Sequence, residues 1–258
     1  MKPVFVKTSN YRRFTTALSR LDDRGAVEAC MVVVDGKPGL GKTATMTHWA
    51  SQTDCVYLRA QKGWDYSWFM QELLNELSVT NPPRGRRDRF RLILEILGDR
   101  AVDAAVEGRP FGLMIDEADL VSNKPEVMEA IRGISDIKSL PTILVGMGKL
   151  RDNLRRFPQI ESRAPNKVEF LPATLEDAQA LVAGLCEVPV AEDLVALVHR
   201  LSKGFSREMV DAIKAIESFG QRIDPGPGGV TRADMAGQPI MNNRETGRTI
   251  VVTEADHG

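Results

Sequence analysis

The sequence contains few cysteines and no long apolar segment. Its three cysteines, Cys30, Cys55 and Cys186, are scattered, without the ligand spacing of a zinc site or the even number of a disulfide framework. Such usage is typical of a reducing compartment, so we expect a cytoplasmic protein. The longest apolar runs, at 29–34 and 111–115, fall far short of the ~20 residues that a membrane span requires. The first residues lack the apolar core of a secretory signal, and no membrane partner is expected.

The chain also lacks an excess of either charge. Its 34 lysines and arginines nearly balance its 35 aspartates and glutamates, which leaves a formal charge of −1. Any surface that binds nucleic acid must therefore be local. The hydrophobic content of 43% and the charged content of 27% are close to those of globular domains, which excludes a wholly disordered or fibrous chain.

Short apolar runs alternate with segments of helical period over the first two thirds of the chain. This alternation predicts an α/β fold in which a five-stranded parallel sheet is flanked by helices. The predicted strands are 30–35, 55–60, 111–116, 142–146 and 168–171. The predicted helices between them are 42–52, 66–77, 88–106, 125–137 and 149–157.

The alternation stops after Pro172. Three helical patterns follow, at 175–187, 191–202 and 206–219, and then a segment rich in glycine, proline and asparagine in which only 249–253 has the character of a strand. We therefore predict a lead-in helix within 1–28, an α/β domain at 29–172, a small helical unit at 173–222 and a flexible tail at 223–258.

A glycine-rich segment between the first predicted strand and helix matches the pattern GxxxxGK[ST] in full. It consists of Gly36, Lys37, Pro38, Gly39, Leu40, Gly41, Lys42 and Thr43. In this Walker A loop, backbone N–H groups converge on phosphates, the lysine reaches the outer phosphates and the threonine ligates Mg²⁺. The alternative is a flexible turn with a chance lysine, and the flanking strand and helix argue against it. The cofactors expected here are ATP and Mg²⁺.

The third predicted strand ends in two adjacent carboxylates, as a Walker B motif does. Asp116 is expected to hold magnesium and Glu117 to orient and deprotonate the attacking water. The alternative, an acidic helix cap after a core strand, is weakened by the Walker A loop. The letters DEAD at 116–119 suggest a helicase, but such enzymes need two full α/β domains and the remaining chain is too short and too helical. Ala118 and Asp119 are instead predicted to begin a helix.

Taken together, these motifs resemble an AAA+ ATPase with a C-terminal helical lid. The motifs are the Walker A loop, the Asp116–Glu117 pair, a further apolar strand and a three-helix segment that contains GFSR at 204–207. Within that superfamily the chain most resembles the regulators of DNA transposition, the family of the phage Mu B protein, TniB and TnsC. The resemblance extends from about residue 8 to 221 and includes VYLRAQKGW, IDEADLV and VEFLPATLEDAQALV.

The resemblance implies roles for two arginines and reveals one departure from the family pattern. Arg163 matches the arginine finger, which reaches the γ-phosphate bound by a neighbouring subunit, and its alternative role is that of a surface arginine. Arg207 matches the sensor-2 arginine of the ATP site. At the sensor-1 position, where a polar residue is usual, this chain has Met147. Slow hydrolysis is therefore expected, unless Thr142 or Lys149 substitutes.

The resemblance also implies contact with duplex DNA through the segment after the second strand. Arg59 and Lys62 lie there, and contacts of such residues with phosphates give affinity without base readout. Trp64 and Trp68 are interpreted as packing residues rather than base stackers. The run at 84–91 contains five arginines, and its residues alone do not distinguish a DNA or acidic-partner contact from a solvated helix entry.

The function expected from this resemblance is a DNA-stimulated ATPase that assembles with ATP into a homo-oligomer or helical filament on duplex DNA, without sequence preference. It is expected to regulate transposition by capturing target DNA and recruiting a transposase. Two alternatives stay open. One is an AAA+ ATPase that loads helicases or serves secretion, and the other is a nucleotide-gated interaction module with little hydrolysis.

Overall fold

A computed structural model of the protein describes residues 1–21, 25–223 and 225–253. The chain divides into two units, which we treat separately. The α/β unit consists of Arg13–Lys37 and Lys42–Phe170. The helical unit consists of Met1–Arg12, Pro38–Gly41 and Leu171–Gly258, so the middle of the Walker A loop groups with it.

The α/β unit is built on one parallel sheet, which confirms the predicted fold. Its strands in chain order are β1 (Met31–Asp35), β2 (Val56–Arg59), β3 (Leu113–Asp116), β4 (Thr142–Val145) and β5 (Asn166–Glu169). Their spatial order is β2-β3-β4-β1-β5, and each neighbouring pair is parallel. The carboxyl ends of all five strands therefore share one edge of the sheet, here called the carboxyl edge, and the amino ends share the opposite amino edge.

Helices precede and connect these strands, and the buried side chains of the helices at 66–76, 86–106 and 125–138 share one core with the sheet. The helices are α1 (Ser9–Ser19), α2 (Lys42–Gln52), α3 (Tyr66–Glu76), α4 (Arg86–Val106), α5 (Pro125–Lys138), α6 (Leu150–Leu154) and α7 (Pro158–Glu161). A single helix was expected at 149–157, but two short helices are found because Pro158, which lacks an N–H, starts a new one. No helix within the described ranges is both long and apolar enough to cross a membrane.

The helical unit contains three amphipathic helices whose apolar faces share one core. They are α8 (Leu175–Leu185), α9 (Glu192–Ser202) and α10 (Ser206–Gly220). A capping box between Thr174 and Asp177 starts α8, because each side chain accepts a bond from the backbone N–H of the other. The amino terminus joins this unit, where the Lys2 N–H donates to the Leu185 carbonyl at 2.8 Å.

The segment predicted to be a flexible tail is structured over 225–253. It contains the antiparallel strands β6 (Pro239–Asn242) and β7 (Thr249–Val251), and Ile240 and Met241 are buried in the core of the helical unit. The strand predicted within 249–253 agrees with β7. The prediction of a flexible tail was wrong for the other residues of this segment, because the buried side chains occur singly or in pairs between turn residues, which leaves no periodic signal. The rest of the predicted tail, residues 224 and 254–258, lies outside the described residues.

Candidate functional site

The Walker A loop follows β1 directly and leads into α2. Gly39 and Gly41 have φ angles of +86° and +82°, which residues with a Cβ rarely adopt, so the loop conformation requires glycine at both positions. The buried Lys42 ammonium donates to the carbonyls of Gly36 at 2.6 Å and Lys37 at 2.8 Å. Burial lowers the pKa of Lys42, while the nearby carboxylates of the sheet raise it. The Lys42 side chain is thus held beside the loop that is expected to bind phosphates.

At the end of β3, Asp116 is held by groups from three elements. Its Oδ2 accepts hydrogen bonds from the Thr43 hydroxyl at 3.0 Å and the Tyr57 hydroxyl at 2.9 Å, and its Oδ1 accepts one from the Glu117 N–H at 2.8 Å. Burial, together with Asp116, raises the pKa of Tyr57 well above its ordinary value. Sequence reasoning missed Tyr57, whose hydroxyl between the apolar Val56 and Leu58 was the available signal.

The Thr43 and Asp116 pair has the chemistry that magnesium requires. A hydroxyl and a carboxylate within hydrogen-bond distance present hard oxygen ligands side by side, next to the loop that is expected to bind phosphates. Mg²⁺ is commonly held by one or two protein oxygens together with phosphate oxygens and water. These residues therefore fit the ion that the Walker motifs imply.

The second carboxylate of the Walker B pair, Glu117, lies in an unusual backbone conformation. Its φ of 54° and ψ of 32° place it in the left-handed region, between β3 and a 3₁₀ turn at Ala118–Leu120. This conformation is energetically unfavourable for a residue other than glycine. Such residues occur most often at functional sites, where the surrounding structure holds them in place. The Glu117 Oε1 accepts a hydrogen bond of 2.5 Å from Arg59, at the end of neighbouring β2. The expected DNA contact and the expected catalytic base are therefore ion-paired with each other.

The turn after β4, where sensor 1 is expected, is fixed by two carboxylates. Asp119 accepts from the Met147 N–H at 3.2 Å, and Asp35 accepts from the N–H groups of Gly36, at 2.7 Å, and Gly148. Burial raises the pKa of Asp119. Thr142 cannot substitute at sensor 1, because it begins β4 at the amino edge and donates to the Leu140 carbonyl at 3.0 Å.

Comparison with known proteins agrees with this geometry. Residues 27–154 match a family model described as an AAA domain. Cdc6p from Pyrobaculum aerophilum superposes with a TM-score of 0.59 at 17% identity, covering 91% of this chain and 68% of that one. The fold is that of an AAA+ P-loop NTPase.

Other AAA+ structures superpose less completely. ORC1 from Aeropyrum pernix, solved in complex with DNA, has a TM-score of 0.56 at 16% identity and covers 86% of this chain and 62% of that one. A RuvB mutant from Thermotoga maritima has a TM-score of 0.51 at 21% identity, and the match covers 84% of this chain and 65% of that one. This chain thus spans about two thirds of the length of such structures. No curated protein is significantly similar to the sequence.

The loop after β2 carries Lys62, which is exposed on the surface of the α/β unit. Lys124 holds the loop in place, because its ammonium donates to the carbonyls of Lys62, at 2.6 Å, and Trp64. Trp64 is fully buried, as expected of a packing residue. Trp68 is 40% exposed, lies against Gly63 and donates to Glu72 at 2.9 Å. Lys62 is therefore presented on a supported loop.

The arginine run at 84–91 is divided between intramolecular contacts and the surface. Arg86 stacks on the Tyr66 ring at 3.8 Å and pairs with Glu126 at 3.0 Å, and Arg89 donates to the Pro83 carbonyl at 2.7 Å. Two members of the run therefore help to start α4. Arg87 is exposed.

Arg163 lies at the amino edge of the sheet. Its carbonyl accepts from the N–H of Met31, the first residue of β1, at 3.0 Å. Its Nε donates to both oxygens of Asp136, at 2.6 and 2.7 Å, and its Nη1 to the Gln159 carbonyl at 2.7 Å. At ~3.3 Å per residue, the five residues of β1 separate this edge from the Walker A loop by roughly 16 Å. The guanidinium is therefore far from the phosphate loop of its own sheet.

Within the helical unit, Arg207 is exposed at the start of α10. Its backbone N–H donates to the Gly39 carbonyl at 3.1 Å. The expected sensor-2 residue is thus joined through its backbone to the Walker A loop.

Proposed function

We propose that this protein is an ATPase that uses Mg²⁺ at the Walker A loop. One observation carries the proposal: Lys42, Thr43, Asp116 and Glu117 meet at the carboxyl edge, in the places that phosphoryl transfer requires. Lys42 binds outer phosphate oxygens, and Thr43 and Asp116 hold the magnesium ion. When bound, the ion neutralises phosphate charge. Glu117 orients the attacking water and accepts its proton.

The Arg59–Glu117 pair supports a link between DNA and hydrolysis. While Arg59 donates to the Glu117 carboxylate, that oxygen is occupied and is not free to accept a proton from the attacking water. A DNA phosphate that binds Arg59 competes with Glu117 for the same guanidinium, which is suited to either anion. DNA binding therefore releases the base and stimulates turnover.

Assembly in trans is supported by the position of Arg163. A residue about 16 Å along β1 from its own phosphate loop does not serve that loop, but it can reach a nucleotide held by a neighbouring subunit. Its guanidinium would exchange Asp136 for phosphate oxygens. We therefore propose a homo-oligomer with ATP at the subunit interfaces.

We propose further that the oligomer coats duplex DNA without sequence preference, presents it as a transposition target and recruits a transposase. Support comes from the exposed Lys62 beside Arg59, from the motif resemblance to transposition regulators, and from similarity to an AAA+ protein solved with DNA. Contacts to phosphate alone suit a protein that accepts many targets. We propose the cytoplasm as its location.

Electron microscopy with duplex DNA tests this proposal. The protein should coat DNA with a slowly hydrolysed ATP analogue and not with ADP, and DNA should raise ATP turnover. Coating without stimulated turnover would favour the nucleotide-gated module, and ATPase activity that ignores duplex DNA would favour the loader or secretion alternative. The transposition step is tested by strand transfer with a purified transposase, whose insertions should require the coated DNA.

A further inference from the structure

The turn between β6 and β7 is a fixed support for one arginine, Arg244. The Asn243 side chain accepts hydrogen bonds from the N–H groups of Glu245 at 2.9 Å and Thr246 at 3.0 Å. The backbone N–H of Asn243 donates to the Arg248 carbonyl at 2.7 Å, and this hydrogen bond closes the hairpin. Ile240 and Met241 of β6 are buried in the core of the helical unit, which anchors one end of the turn.

The Arg244 guanidinium contacts three groups in the same unit. Its Nη2 donates to the Pro38 carbonyl of the Walker A loop at 2.8 Å, and its Nη1 donates to Glu208 Oε1 at 2.8 Å. Its plane lies over the Phe205 ring, with 4.2 Å between the guanidinium carbon and the ring centroid. One side chain therefore connects the hairpin, the start of α10 and the Walker A loop.

The close approach of these groups depends on Gly39. A Cβ at this position would lie 2.7 Å from Arg244 Nη1 and 3.5 Å from Glu208 Oε2. The Gly39 carbonyl is also held by the Arg207 N–H, as described above. The segment Pro38–Gly41 is therefore fixed from two directions, by the first turn of α10 and by Arg244.

We propose that Arg244 is a positioning residue that holds the Walker A loop ready for phosphate. This inference rests on the proposed binding of ATP. Arg244 itself lies in the β6–β7 hairpin, outside the Walker A and Walker B motifs from which ATP binding was proposed. A loop fixed beforehand loses less conformational freedom when its N–H groups converge on phosphates, so the nucleotide binds more tightly.

Arg244 also balances a buried negative charge next to the loop. Glu208 is almost fully buried, and its Oε2 has no hydrogen-bond partner among the described residues. Without Arg244, this carboxylate would be left without its cation close to Gly39, where it would repel a phosphate. Loss of Arg244 should therefore weaken nucleotide binding in two ways: the Walker A loop becomes less ordered, and the unpaired Glu208 carboxylate repels the phosphates.

The test compares Arg244→Ala and Arg244→Lys with Arg248→Ala, a matched control that removes an exposed arginine from the same hairpin. Binding of a fluorescent ATP analogue is measured on the free protein without DNA. Hydrogen–deuterium exchange over residues 36–43 is measured without nucleotide, so the state of the loop is read even if ATP binding fails.

Arg244→Ala should raise the Kd about tenfold and speed exchange in the loop, while Arg248→Ala changes neither. Arg244→Lys should recover only part of the lost affinity and of the protection from exchange, because a lysine lacks the planar guanidinium that reaches Pro38 and Glu208 together. In ATPase assays, KM should rise about tenfold with kcat within about twofold. Adding Glu208→Gln to Arg244→Ala should restore part of the affinity by removing the unpaired charge.

Unchanged exchange and unchanged affinity in Arg244→Ala would overturn the proposal. Tighter binding would also overturn it, since Arg244 would then obstruct the phosphate site. If the unmodified protein binds no nucleotide, the proposed ATPase function is wrong, and loop exchange alone decides the positioning role.

Discussion

The two edges of the parallel sheet each hold an arginine in an ion pair, and they hold it differently. At the carboxyl edge, Arg59 is 64% exposed and makes a single hydrogen bond to Glu117. At the amino edge, Arg163 is only 23% exposed and binds both oxygens of Asp136 as well as the Gln159 carbonyl. An exposed pair with one bond exchanges partners readily, whereas a partly buried network resists exchange. The carboxyl edge is therefore suited to a switch, and the amino edge to an arginine that only a strongly charged partner displaces.

Lys42→Ala should have the largest effect, because it removes the phosphate cation of the carboxyl edge and leaves the amino edge intact. Nucleotide binding should fall below detection, and ATP-dependent coating of DNA should disappear with it. Titration with a fluorescent ATP analogue and electron microscopy measure the two losses. If the variant still coats DNA at ordinary protein concentration, assembly is not gated by ATP.

Arg163→Ala tests the amino edge. An arginine finger supplied by a neighbour contributes ~10³–10⁵ in rate in well-characterised nucleotide hydrolases, and the effect should be smaller here if Met147 weakens sensor 1. The free subunit should still bind ATP, while DNA-stimulated hydrolysis falls and filaments loosen. Steady-state phosphate release measures the loss.

Mixing Arg163→Ala with Glu117→Gln gives the control for action in trans. Some interfaces in the mixture combine an intact Glu117 with an intact Arg163 from the neighbour, so hydrolysis should exceed that of either variant alone. No recovery despite demonstrated co-assembly would mean that Arg163 acts within its own chain or not at all. Arg155 and Arg156 would then be the next candidates.

Glu117→Gln alone should slow turnover by ~10²–10⁴ and preserve binding of ATP and Mg²⁺, because the amide keeps the shape but cannot take the proton. DNA-bound filaments should therefore last longer. The substitution also removes the charge that holds Arg59, so the variant should bind DNA at least as well as the parent protein. An unchanged turnover rate would place the catalytic base elsewhere.

Lys62→Ala and Arg59→Ala should have the smallest effects of these variants. Compared with each other, they separate the contribution of an arginine or lysine to DNA binding from the effect of Arg59 on Glu117. Each should weaken binding equally across DNA sequences and reduce the salt dependence by a slope of ~1 per lost phosphate contact. Only Arg59→Ala should also raise turnover without DNA, because it frees Glu117. Salt titrations and basal ATPase assays measure these effects. If neutralising the run at 84–91 has the DNA phenotype and Lys62→Ala has none, the DNA surface lies on α4.

The sheet and the Walker residues were predictable because each depends on a local pattern. A buried strand followed by GKPGLGKT, or one ending in Asp116 and Glu117, carries its signal within a few residues. The partners of those residues were not predictable, because Tyr57 and Arg59 reach the Walker B pair only through the pairing of β2 with β3.

The hairpin was missed for a different reason. Arg244 and Pro38 are 206 positions apart, and nothing in the composition of the Gly- and Pro-rich segment distinguishes a folded hairpin from a solvated chain. The same holds for Lys124, which supports the loop of Lys62 from 62 positions away.

The left-handed backbone at Glu117 places the proposed catalytic base in a conformation that destabilises the fold. A residue with a Cβ in this region costs about 1 kcal/mol or more, which glycine does not. Alanine and glycine at position 117 would both abolish turnover, and ordinarily alanine is the more stabilising replacement. Here Glu117→Gly should have the higher melting temperature of the two in a thermal scan. The reverse order would mean that the turn relaxes once its carboxylate is gone.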